Sequence, residues 1–187
     1  MLFRSKTIIK TINRMKQFIL IVNGPICGGK SFLIDSIMDN YKKVFRLSAN
    51  KVKFLISDYT PERDRAVVQE CLMILAEKML HNGMSLVLEG GSVAQGKLNE
   101  SLCEIAEKYN MNVLTVNVEA PLDVLKKRFE ERVITAATRG SKLSVTDDAG
   151  YMERYNAYLA IKKDAQKTFN SSTQNPEEMM KEIIGMM

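Results

Sequence analysis

The chain has 187 residues, 26% charged and 45% hydrophobic, which suits one domain with a sizeable core. No apolar run approaches the 18 or so residues of a membrane-spanning helix, and the three cysteines, at 27, 71 and 103, are too dispersed for a zinc knuckle or a disulfide framework. The net charge of +5 owes four charges to Arg4, Lys6, Lys10 and Arg14 in an acid-free leader, so the remaining body is close to neutral and no broad nucleic-acid surface is expected. Met15 stands just ahead of the first strand. Residues 1–14 therefore read as a basic, dispensable extension, with a short targeting segment as the alternative, and 15–187 as the domain. A cytoplasmic location, without a membrane partner, is the expectation.

The elements alternate. Residues 17–23 form a β-branched, apolar first strand, and Phe32, Leu33 and Ile37 mark a helix over about 30–41. Val44-Phe45-Arg46-Leu47 is the second strand. A polar stretch with Asp58, Pro61 and Arg63 leads into a long helix, in which Val67, Cys71, Leu72, Leu75 and Met79 form the expected apolar face. Gly83 caps that helix in a left-handed conformation and His81, the lone histidine, sits at its negative end. Ser85–Glu89 is the third strand, continuous enough in apolar residues to be buried on both faces.

A helix over about 97–109 leads to the fourth strand, 113–118, and Pro121 opens the next helix. After Thr146-Asp147-Asp148 another helix presents Tyr151, Tyr155, Tyr158 and Leu159 on one face. Lys167–Asn170 is a weak fifth strand, and Pro176 starts a final helix with Met179, Met180, Ile183 and Ile184. Cys71 and Cys103 are expected in the core. The alternation predicts an α/β fold: a three-layer α/β/α arrangement around a mainly parallel five-stranded sheet.

Between the first strand and the first helix lies Gly24-Pro25-Ile26-Cys27-Gly28-Gly29-Lys30-Ser31, which matches G-x-x-x-x-G-K-[ST] without a mismatch. Glycines let backbone N–H groups turn toward phosphate oxygens, and the helix N-terminus adds its partial positive charge. Lys30 is placed to reach the β- and γ-phosphates, and the Ser31 hydroxyl to hold Mg²⁺. The pattern predicts a nucleoside triphosphate site built on Gly24, Cys27, Gly28, Gly29, Lys30, Ser31 and Phe32, with Cys27 as filler at a permissive position.

Ligands of an open parallel sheet bind beyond the carboxyl ends of its strands. The polar residues there are the phosphate loop, Ser48 to Lys53, Glu89 with Gly90-Gly91, and Glu119-Ala120-Pro121. Glu89 is the clearest acid, either a carboxylate holding a Mg²⁺-bound water or contacting the acceptor, or an ordinary polar strand end. Arg128 and Arg132 share one helix face, facing an anion or lying in a solvated surface with Glu130 and Glu131.

The loop Gly24–Ser31, the strand end at Glu89, and the run Ala120–Arg132 with its Pro…Arg-x-x-x-Arg spacing together resemble small P-loop kinases. That group has an AAA-type ATP-binding domain and includes adenylate-kinase-like enzymes and the zeta-toxin, polynucleotide-kinase and chloramphenicol-phosphotransferase types. The resemblance implies ATP and Mg²⁺ as cofactors, Arg128 beside the adenine, Arg132 on the transferring phosphates, and a lid at about 133–150 in which Arg139 closes over the γ-phosphate. It also implies that Phe169–Ser172 and Pro176–Glu178 form the last strand and helix, near the adenine.

The acceptor half departs from the pattern. Polynucleotide and zeta-type kinases carry Asp-x-x-Arg after the second strand, whereas here the counterpart is Asn50-Lys51-Val52-Lys53. An amide has no useful protonation equilibrium and is no general base. Either Asp58 or Glu89 takes that role, or the acceptor is already anionic and needs none. Lys53, Arg63 and Arg65 suit an anionic acceptor, or form a solvated charge cluster. The function expected is ATP- and Mg²⁺-dependent phosphoryl transfer to a nucleotide or other small molecule, by a monomer or homodimer. A regulatory ATPase and a toxin-type kinase of a sugar nucleotide are the alternatives.

Overall fold

The computed structural model describes residues 17–90, 96–162 and 165–187, so the basic extension at 1–14 and Gly91 lie outside the described residues. Five strands, β1 (Ile19–Asn23), β2 (Val44–Leu47), β3 (Ser85–Glu89), β4 (Val113–Glu119) and β5 (Lys167–Asn170), form one sheet in the order β2-β3-β1-β4-β5. All four pairings are parallel, so the sheet is not mainly but wholly parallel among the described residues. The chain leaves β1 for β2, returns to set β3 between them, and then places β4 on the other side of β1. This makes the carboxyl end of β1 the switch point at which such sheets bind ligands.

Alternation along β1 decides which helices it packs on. Leu20 and Val22 face α1 (Lys30–Asn40) and α7 (Pro176–Met186), packing with Leu33, Ile34, Ile37, Met179, Met180 and Ile183. Ile19 and Ile21 face the opposite layer, α3 (Pro61–His81) and α4 (Gly96–Lys108). These helices cover both faces of β1, whose five residues are all buried.

The long helix α3 buries Val68, Leu72, Ala76 and Leu80, a strict i, i+4 stripe. The expected face was rotated from this one. Val67 and Cys71 are exposed, Leu75 and Met79 are only partly buried, and Cys103 on α4 is likewise exposed beside the buried Leu102 and Ala106. Ala76 is small, and the sheet accepts it where the apolar count alone favoured bulkier neighbours. Gly83 does take φ 75 at the end of α3.

A short helix absent from the sequence reading, α2 (Ala49–Lys53), follows β2 and packs near α3. The helix α5 (Leu122–Arg139) runs unbroken into the segment assigned to the lid, and a connection over 140–147 leads to α6 (Asp148–Ile161). A third apolar cluster roots these two helices on the phosphate loop. Leu125, Phe129 and Tyr151 form it, the Phe129 and Tyr151 rings lie 4.6 Å apart, and Ile26 and Cys27 pack against it. On α6, Tyr151 and Tyr158 are buried, whereas Leu159 is exposed and does not share their face.

Candidate functional site

The loop after β1 sits on the carboxyl end of β4. A Cβ at Gly24, where φ is 155, would lie 2.2 Å from the Val118 carbonyl oxygen, so only glycine allows this close approach. Gly29 caps α1 in a left-handed conformation, without a side-chain cap and without an acidic residue in the first turn. The first-turn N–H groups are thus left for an external acceptor, and the helix field favours an anion there. Cys27 adopts φ 63, uncommon for a side-chain-bearing residue, and continues the curl of the loop.

Lys30 folds back over this loop. Its Nζ donates to the carbonyls of Gly24 at 2.8 Å and Pro25 at 2.7 Å. Burial lowers its pKa to about 8; Glu89 and Cys27 counteract that, and the nearby charge of Arg132 adds to it. Ser31 donates its hydroxyl to Glu89 Oε1 at 2.7 Å, so the two residues expected at the metal are brought together.

The sequence reading treated Arg46 only as part of a strand. It lies on β2 beside β3, and its side chain is 10% exposed. Its Nη2 and Nε donate to Glu89 Oε2 at 2.6 and 3.2 Å, and Nη1 donates to Asp35 Oδ1 at 2.7 Å. Burial alone would raise the Glu89 pKa, but the hydrogen bonds from Arg46 and Ser31 and the charges of Arg46 and Lys30 outweigh it and hold the carboxyl below its usual range. A guanidinium in an otherwise apolar four-residue strand was the available signal, since burying such a charge requires a partner.

Arg128 is anchored rather than loose. It donates to Ser171 Oγ at 2.9 Å, to the Ser171 carbonyl at 3.1 Å and to the Cys27 carbonyl at 3.4 Å, tying α5 to the loop after β5 and to the phosphate loop. Arg132, one turn on, is exposed and close enough to Lys30 to affect its charge. Phe32 is also exposed, on the first turn of α1. These residues line a cavity of about 1140 Å³ whose far wall is α2, the start of α3, and the 140–147 connection. Asn50, Lys53 and Arg65 line that wall, with Phe54 and Tyr59 beside them.

Asp58 does not join this group. Its side chain is 89% exposed, it stands 3.8 Å from an Arg63 nitrogen, and it is not part of the cavity wall. Arg63 is turned away as well, because its guanidinium is engaged by Asp64 at 2.6 Å and by the Asp58 carbonyl at 2.6 Å. Two acceptors beside it satisfy the charge that the sequence left for an acceptor molecule. Glu119, at the end of β4, accepts from the Tyr158 hydroxyl and from Lys162 and serves to tie α6 to the sheet. Among the described residues no helix is long and apolar enough to cross a membrane.

A family model described as an AAA domain matches residues 19–149. Comparison with curated proteins finds no match. Among solved structures, the chain is similar to a candidate kinase of Chloroflexus aurantiacus, with 18% identity, TM-score 0.64, and coverage of 92% of this chain and all of that one. It is similar to the APS kinase CysC of Mycobacterium tuberculosis in complex with AMPPNP and APS, with 12% identity, TM-score 0.55, and coverage of 91% and 96%. It is also similar to the Deinococcus radiodurans tunicamycin resistance protein, with 12% identity, TM-score 0.58, and coverage of 91% and 95%. At these identities the likeness establishes the fold, which is that of P-loop kinases.

Proposed function

This chain belongs to the AAA domain family, and we propose that within it the protein is an ATP- and Mg²⁺-dependent phosphotransferase acting on a nucleotide or other small-molecule acceptor. The observation that carries this reading is the continuity of one cavity from the phosphate loop to the wall of α2 and α3. Its volume of about 1140 Å³ stands at the top of the range of ligand pockets, on the order of 300–1,000 Å³, which suits donor and acceptor bound together. Transfer requires that room; hydrolysis does not.

In this reading the amides of the loop and Lys30 cradle the β- and γ-phosphates, Arg132 faces the transferring group, and Arg128 holds the base side of the site together through Ser171. Ser31 and Glu89 offer two hard oxygen donors side by side, a set that fits Mg²⁺, which keeps its remaining ligands from water and phosphate. When bound, the ion would neutralise charge on the β- and γ-phosphates. The acceptor oxygen bonds to the γ-phosphorus as the bond to the β–γ bridging oxygen breaks; ADP leaves, and the proton of an attacking hydroxyl passes to solvent. Glu89, already engaged by Arg46 and Ser31, is a poor proton acceptor, so positioning and charge neutralisation carry the rate.

Lys30→Met tests the assignment: transfer to acceptor should be lost while urea unfolding stays two-state and near the wild-type midpoint. Turnover equal to wild type would overturn it. Steady hydrolysis without any acceptor, accompanied by nucleotide-dependent oligomers, would point instead to a regulatory ATPase.

A further inference from the structure

Lys53, Arg65 and Arg154 line the cavity, from α2, α3 and α6 respectively, and both arginines are exposed. At several places this protein pairs a cation with a carboxylate: Arg46 with Glu89 and Asp35, Arg63 with Asp64, Lys162 with Glu119. Here it does not. Among the described residues Arg65 and Arg154 have no hydrogen bond or ion pair, and Lys53 donates only to the neutral Ser144 Oγ, at 2.7 Å.

The acids that line the cavity do not relieve this. Glu89 is engaged by Arg46 and Ser31, and Glu131 lies on α5 next to Arg132. Burial and the nearby charge of Arg154 lower the pKa of Lys53, so a half-buried ammonium stands close to the exposed Arg154 guanidinium. Two like charges this close favour an anion between them. The Phe54 and Tyr59 rings stand 5.0 and 6.0 Å from the Lys53 ammonium and give the same wall an apolar side.

We infer that Lys53, Arg154 and Arg65 form a second oxyanion site, separate from the phosphate loop, which holds a phosphate or sulfate ester already present on the acceptor. Its role as acceptor site rests on the phosphotransferase reading; its existence does not. The acceptor thus brings its own anion, with the aromatic pair against its uncharged part. Asn50, which lines the same wall, then orients the acceptor by hydrogen bonding.

The test uses the full chain saturated with AMPPNP and Mg²⁺, so that the phosphate loop is occupied, and follows thermal unfolding while inorganic phosphate or sulfate is titrated against chloride of equal ionic strength. The expected result is stabilisation by the oxyanion beyond chloride, with apparent affinity weakened at least about tenfold in Lys53→Gln and in Arg154→Gln. The order of sulfate and phosphate affinities identifies which ester the site prefers. Equal shifts in chloride, or oxyanion affinity unchanged in both variants, would overturn the proposal. Should AMPPNP itself fail to bind, the donor reading falls instead. The same titration is then read on unloaded Lys30→Met protein, with and without the two glutamine substitutions, where the same criteria apply.

Discussion

Arg46 offers the sharpest test of how the site is held. Replacing it with methionine keeps most of the side-chain volume and removes three charge-assisted hydrogen bonds. The bond to Asp35 counts little, because that carboxylate is 61% exposed and such pairs contribute about 0–1 kcal/mol. The pair with Glu89 is different, with side chains only 10% and 14% exposed. Leaving one member of a buried pair alone costs about 3–5 kcal/mol. Ser31 and the Lys30 charge still serve Glu89, so the low end of that range applies, about 3 kcal/mol, or a melting temperature lower by about 6–12 °C in a chain of this size.

The effect has a pH signature. In the wild type the Glu89 pKa is depressed, so its contribution is present above the ordinary carboxylate pKa and is lost as pH falls through the folded value. In Arg46→Met, burial dominates and the folded pKa rises. The variant's penalty is then greatest at neutral pH and shrinks as acid protonates Glu89. Urea unfolding at pH 7 and at pH 5 measures both, and Arg46→Met/Glu89→Met should recover most of the loss. A single variant losing less than about 0.5 kcal/mol at pH 7, or a double variant no better than the single, would refute the reasoning.

Lys30 predicts a pH dependence of nucleotide binding. With its pKa near 8 in the free protein, ATP affinity by calorimetry should be flat below that pH and fall above it, approaching tenfold per unit, as binding begins to draw a proton from solution. The unliganded protein gains stability from the same group between about pH 8 and its ordinary 10.5, because the unfolded chain holds that proton longer; affinity that is level through pH 9.5 contradicts both. Gly90→Ala places a Cβ 2.1 Å from Asn23 Oδ1 in a buried position and should cost about 1–3 kcal/mol in urea unfolding, whereas a neutral substitution would mean that the β1–β3 junction relaxes freely. Arg128→Lys cannot reproduce the fork that reaches Ser171 twice, so AMPPNP affinity should fall about tenfold, and unchanged affinity would remove Arg128 from the base side of the site.

The phosphate-loop pattern between β1 and α1 was legible because its determinants are local. A β-branched run, a glycine-rich turn and a helix start are consecutive in the chain, and their chemistry depends on backbone groups that any such turn presents. The alternation of strands and helices is equally local, and it leads to a parallel sheet since each crossover must pack back on the same layer. Periodicity was less reliable on α3, where an apolar stripe at Val67 and Cys71 competes with its neighbour at Val68, Leu72, Ala76 and Leu80; the count of apolar residues does not select between stripes one residue apart, and packing on the sheet does.

Charge partners were decided by tertiary structure. Arg46 meets Glu89 across 43 positions, Arg128 meets Ser171 across 43, and Lys53 meets Ser144 across 91. Arg63, which looked free in sequence, is engaged by its immediate neighbours, while Arg154, unremarked on a polar helix face, reaches the cavity. Sequence by itself determined that a glycine-rich phosphate-loop pattern stands at the end of a parallel strand, because its atoms are contiguous in the chain. Only the folded chain decided which cations remain unpaired around it, because pairing depends on distance in space and on the water that burial removes.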